Sequence, residues 1–163
     1  MSRIPSLGPR GEGWVILQLA GIAAVSYAGR LDAGGSTSDP ELRSVLERAG
    51  LIVVGAGALL LLSGVAVLMS ASSFSIFPRP IGGGRLVESG PYRIVRHPVY
   101  SGLILGGLGF ALQRVSIATL LATLFLAVVL DLKRRREEVW LATQFPDYAA
   151  YRGRTKALVP FIY

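Results

Sequence analysis

Residues 51–69, LIVVGAGALLLLSGVAVLM, run for nineteen positions without a charge. That length matches the ~20 apolar residues that carry an α-helix across the hydrocarbon core of a bilayer. Backbone polar groups in lipid must be satisfied within their own segment, so a transmembrane helix is predicted here. The rest of the chain fits the same solvent. Of its 163 residues 52% are hydrophobic, and the mean hydropathy is +0.52, too apolar for an ordinary soluble domain.

A second apolar stretch covers residues 14–28, with Trp14 placed as an interfacial anchor. Its basic flank, short apolar core and Ser26-Tyr27-Ala28 also suit a secretory leader; a retained span is the expectation taken forward. Apolar sequence resumes over 99–112 and again over 115–130, interrupted only by Gln113 and Arg114, which predicts a tight helical hairpin. Its first arm carries Gly102, Gly106, Gly107 and Gly109, with Gly102 and Gly106 in the spacing that lets helices approach closely. These glycines serve helix packing alone, or they also make room for a cofactor; both readings stay open at this point.

Thirteen of the seventeen Lys and Arg residues fall on one side of such a four-span arrangement. The positive-inside rule then puts both termini in the cytoplasm. The expected fold is an all-α integral membrane protein of about four transmembrane helices, with a helical hairpin and a cytoplasmic carboxyl-terminal tail, in a bacterial inner membrane. It is read as one domain over 1–163, with two spans in 1–71 and the functional half in 86–163. The first loop holds Gly34-Gly35-Ser36-Thr37-Ser38, and the charged residues 41–48 after it are expected to form a short amphipathic surface helix.

Several chemistries are excluded early. The chain has no cysteine and one histidine, so thiol nucleophiles, Cys-ligated metals and a His-rich metal centre are not expected. The net charge of +7 lies beside apolar segments, where it serves orientation and anionic headgroups rather than nucleic acid. Gly82-Gly83-Gly84 is not followed by the Lys-Ser/Thr of a phosphate-binding loop and reads as a turn.

Two stretches carry the chemistry. In the first, Pro98 suits the opening turn of the third helix, where its missing N–H costs nothing. Arg96 and His97 beside that turn suit an anion such as a carboxylate, although His97 also suits a plain interfacial role. In the second, Lys133-Arg134-Arg135-Arg136 reads as a helix end snorkelling to headgroups. Glu137 and Glu138 follow, and neighbouring helix positions point about 100° apart, so at most one of them aims into a pocket.

Together these stretches resemble the isoprenylcysteine carboxyl methyltransferase family and its relatives the phospholipid N-methyltransferases. The resemblance is carried by Gly90-Pro91-Tyr92, by Arg96-His97-Pro98-Val99-Tyr100-Ser101-Gly102, and by Glu137-Glu138. It continues through Phe145-Pro146-Asp147-Tyr148-Ala149-Ala150-Tyr151 and the ending Val159-Pro160-Phe161-Ile162. It covers about residues 86–163 and leaves 1–71 unmatched.

The resemblance implies S-adenosylmethionine as cofactor, bound between the last two helices and the tail, and a lipid-like or isoprenoid acceptor entering from the membrane. It implies cofactor contacts from Tyr92, His97, Tyr100, Gly102, Glu137 and Glu138. Acceptor contacts would come from Tyr148, Tyr151 and Arg154. For a carboxylate acceptor, Arg96 would hold the acceptor oxygen; for an amine, Glu138 or Tyr100 would take the proton. Of the two acids, Glu138 is expected to bind cofactor more strongly than Glu137.

Two other classes compete. Membrane steroid-reductase-like proteins have a related tail and use NADPH. A non-enzymatic transporter subunit or interaction protein is the other, and acidic residues confined to the span ends count against a transport path.

Overall fold

A computed structural model describes residues 4–31, 37, 39–79, 84–160 and 162–163. Most of the first glycine-serine loop and the leading two glycines of the triple lie outside the described residues. Five α-helices are described, α1 (Glu12–Leu31), α2 (Pro40–Ser70), α3 (Pro98–Arg114), α4 (Ile117–Gln144) and α5 (Tyr148–Arg154), with a 3-10 turn at Gly90–Arg93.

Local signals set the helix ends. The Asp39 carboxylate accepts from the backbone N–H groups of Glu41 and Leu42 at 2.9 and 3.2 Å, and Pro40 opens α2. The expected surface helix over 41–48 is therefore no separate element. It continues unbroken into the apolar run as one 31-residue helix about 46 Å long at 1.5 Å per residue. Between α3 and α4 the hairpin turns in two residues: Val115 takes a left-handed φ of 47°, and Ser116 caps α4 by accepting from Thr119 N. The third helix begins at Pro98 as the sequence predicts.

Helix α2 lies along α3, α1 lies along α4, and α3 joins the two pairs. The α2–α3 seam is backbone against backbone. A Cβ added to Gly102 would stand 2.6 Å from the Gly57 carbonyl oxygen and 2.7 Å from the Leu61 nitrogen. One added to Gly109 would stand 2.5 Å from the Val54 nitrogen. No alanine fits either position without moving a helix, so Gly102 and Gly109 serve close packing against α2; a Cβ added to Gly106 would meet nothing within 4 Å. The α1–α4 contact is built instead on side chains, chiefly Val25, Leu126 and Leu130.

Two of the described helices, α1 and α2, are long and apolar enough to cross a membrane by length and composition. Helix α3 has 17 residues, and the second half of α4 is charged. Large apolar side chains such as Ile16, Leu19, Ile52, Leu59, Leu62, Leu121 and Phe125 point outward on these helices. Such a surface marks contact with lipid or with another protein.

Candidate active site

The site lies at the ends of α3 and α4 away from their hairpin, where the tail folds back. Gly90 takes a left-handed φ of 57° and starts the 3-10 turn that buries Tyr92. Residues 94–97 then run beside 156–157 as a short parallel pairing: Arg96 N donates to Lys156 O at 2.8 Å and His97 N to Ala157 O at 3.1 Å. Ser101 Oγ donates to Leu158 O at 2.6 Å, and Tyr151 Oη to Tyr92 O at 2.8 Å. The approach to α3 and the tail thus form one unit, and α4 carries its acidic pair into it.

The two glutamates have different surroundings. Glu138 is buried and surrounded by basic side chains: Arg96 Nε at 3.0 Å, His97 Nε2 at 3.2 Å and Arg134 Nη1 at 3.5 Å, all from Oε1. Burial opposes its ionisation, but the hydrogen bonds and charges of His97 and Arg96 outweigh it and hold the carboxyl down at about 2. The anion that Arg96 and His97 receive is therefore the protein's own. The remaining reach of Arg96 goes to the carbonyls of Arg152 and Thr155.

Glu137 is only half-buried and accepts from Tyr100 Oη at 2.7 Å, with His97 Nδ1 at 3.8 Å. The His97 and Tyr100 rings are stacked, 5.3 Å apart and 5° from parallel.

In front of Glu137 opens a cavity whose mouth is open to solvent. Its polar wall includes Tyr92, Arg96, His97, Tyr100, Glu137, Tyr148 and Tyr151, with Arg85 and two serines on the side of the 73–87 connection. Its apolar wall includes Leu68, Phe74, Phe77, Val99, Leu141 and Phe145. Tyr148 is 1% exposed, and its hydroxyl has no hydrogen-bond partner among the described residues. A buried hydroxyl left unpaired inside a cavity wall is a position for a ligand or water. Burial, helped by the neighbouring glutamate charges, pushes the phenols of Tyr92 and Tyr148 well above their usual range, and burial does the same to Tyr151; all three are neutral donors.

Seven of the residues singled out from sequence thus meet in one cavity wall. Three do not. Gly102 turns its bare Cα toward α2 rather than the cavity. Glu138 sits behind the wall, saturated by basic side chains, so the acid that faces the cavity is Glu137. Arg154 reaches Glu88 in an exposed pair.

The reading of 133–136 as a snorkelling run also needs correction, because Lys133 and Arg134 turn inward, 2% and 6% exposed. Sequence reasoning missed the wall over residues 73–78 and 84–87. Phe74 and Phe77 within a polar connection were the available signal.

Among the described residues, no group of three or more His, Asp or Glu side chains is placed to hold a metal ion. The profile of the phospholipid methyltransferase family matches residues 46–148. A cobalt-zinc-cadmium resistance protein of Cupriavidus metallidurans is 40% identical over 77 residues, 46% of this chain and 35% of that protein. A nickel-cobalt-cadmium resistance protein of Alcaligenes xylosoxydans xylosoxydans is 36% identical over 77 residues, 46% of this chain and 36% of that protein. The chain therefore spans about a third of the length of these curated relatives.

Proposed function

Because the chain belongs to the phospholipid methyltransferase family, we propose that it transfers a methyl group from S-adenosylmethionine to a lipid acceptor at the cytoplasmic face of a membrane. In this reading α1 to α4 all span, both termini are cytoplasmic, and the cavity lies at the headgroup level. The single observation that carries it is the cavity wall that joins an accessible carboxylate, stacked aromatic rings and an orphaned buried hydroxyl. Those groups fit the cofactor's chemistry: Glu137 for its ammonium, Phe74 and Phe77 for a flat base, the Tyr148 hydroxyl for a polar edge.

The bound cofactor supplies an electrophilic methyl group, so the protein needs no covalent nucleophile. Its own residues orient and exclude water. Tyr100 fixes the Glu137 carboxylate by donating to it. Glu138, behind the wall, holds Arg96 and His97 in place and is a positioning residue. Held at about 2, it is too weak a base to deprotonate an acceptor.

Arg96 is already paired with Glu138, which leaves Arg85 as the cation in the cavity wall that could meet a carboxylate acceptor such as the isoprenylcysteine resemblance requires. The match to the phospholipid methyltransferase family supports an amine-bearing lipid; it would react as the free amine, its proton lost to water at the open mouth of the cavity, and we take it as the acceptor.

The test is incubation of the membrane protein with methyl-labelled S-adenosylmethionine and a lipid and isoprenoid extract. Label in a base-stable methylated amine lipid is the expected result. Label released by mild base as a methyl ester overturns the acceptor, and stabilisation by NADPH with no labelled product overturns the activity.

A further inference from the structure

One buried cation next to the cavity has no part in the reading above. Lys133 comes from α4, one turn before Glu137, and its ammonium donates to Gln18 Oε1 of α1 at 2.5 Å and to the Ile76 carbonyl at 3.2 Å. It also lies 5.2 Å from the centre of the Tyr100 ring, within cation–π range. A single side chain thereby ties α1, the 73–78 segment and α3 to α4. Ile76 is flanked by Ser75 and Phe77, both in the cavity wall, and Tyr100 presents its hydroxyl to Glu137.

The outer side of that wall is held separately. Arg10 lies over the Phe77 ring at 4.3 Å. Gly11, with φ +83°, sits so close that a Cβ would stand 2.8 Å from Pro78. From inside, Lys133 holds it through the Ile76 carbonyl. Burying an ammonium is costly unless its donors are used, and here they are used on groups that define the shape of the site.

We propose that Lys133 is a positioning residue of the methyl-transfer site, clamping the 73–78 wall and the Tyr100 ring from behind so that the cavity is closed around the cofactor. The proposal rests on the methyltransferase reading for its effect on binding, but not for its effect on the wall. Its test is Lys133→Met, which keeps the stem and removes the ammonium, in detergent-solubilised full-length protein.

Hydrogen exchange over 73–78 should quicken. The Kd for S-adenosylhomocysteine by calorimetry should rise about tenfold, the scale of losing a charge-assisted hydrogen bond, while the number of sites per chain stays that of the parent. Unchanged exchange at 73–78 overturns the clamp. So does a parent-like Kd with fewer competent sites, the mark of a merely structural lysine.

If Lys133→Met does not fold, Gln18→Leu removes one arm from outside the cavity and should give about a threefold rise in Kd; no rise overturns the clamp. If the parent itself does not bind S-adenosylhomocysteine, the methyltransferase reading fails, and the exchange measurement still decides the clamp.

Discussion

The α2–α3 seam and the head formed by residues 86–158 are held by opposite means. In the seam, glycines let two backbones touch, and the contact is made without charge. In the head, Glu138 joins Arg96, His97 and Arg134 by hydrogen bonds and ion pairs, and Tyr100 and Tyr151 donate to Glu137 and the Tyr92 carbonyl. Lipid offers no hydrophobic gain for bringing two apolar helices together, so close contact is what remains to bind them. At the membrane surface water competes for every polar group, so buried charges persist only when paired. A seam of this kind resists added atoms at its closest contacts, and a head of this kind resists the loss of a paired charge.

The contrast is tested most severely at Glu138. Glu138→Ala leaves Arg96, His97 and Arg134 without their shared carboxylate, a loss of about 3–5 kcal/mol for a broken buried pair. Thermal unfolding in detergent should show it, and ligand binding should go with it. Acid probes the same group without mutation. Its carboxyl titrates near 4.5 when unfolded and at about 2 in the fold, so its stabilisation is complete above pH 4.5 and is lost as pH falls toward 2. The head should loosen across that window while α2 and α3 stay paired. A parent-like unfolding temperature in Glu138→Ala, or simultaneous acid loss of seam and head, breaks the comparison.

Gly102→Ala is the matching test of the seam. Overpacking of a close contact costs about 1–3 kcal/mol, here against the backbone of α2 at 2.6 Å. The expected outcome is a lower unfolding temperature with an unchanged Kd for S-adenosylhomocysteine in the protein that remains folded. The reverse, weaker binding at full stability, would return Gly102 to the cofactor site.

How far the sequence revealed each region follows from the same physics. Helix positions were legible because lipid demands long uncharged runs, and Pro98 and the Gln113-Arg114 interruption marked their ends. The partner of the α3 glycines was not legible, since a GxxxG spacing does not say which helix will meet it; α2 supplies Gly50, Gly57 and Gly64 at intervals of seven residues. In the head, motif order brought Tyr92, Arg96, His97, Tyr100, Glu137, Tyr148 and Tyr151 to one cavity. The choice between Glu137 and Glu138 needed coordinates, because it turns on the rotation of α4 by one residue. The inward turn of Lys133 and Arg134 was hidden for the same reason, and a run of four basic residues reads as solvated until the helix face is known.

Glu137→Gln should act on ligand and not on fold. It keeps an acceptor for Tyr100 and loses only the charge facing the cavity, so unfolding should move little while the Kd for S-adenosylhomocysteine rises about tenfold, the value of a hydrogen bond to a charged group. An equal loss of stability would mean that Glu137 belongs to the same structural network as Glu138.

Tyr148→Phe is the smallest change and the cleanest. The Tyr148 hydroxyl is buried and makes no hydrogen bond among the described residues, so removing it deletes no hydrogen bond there and relieves an unsatisfied group. Stability should hold or rise slightly. If a ligand is what completes that hydroxyl, Kd should increase about fivefold, the worth of one neutral hydrogen bond. Calorimetry showing unchanged affinity alongside raised stability would mean that the hydroxyl faces ordered water, and the polar edge of the bound molecule must then meet Tyr92 or His97 instead.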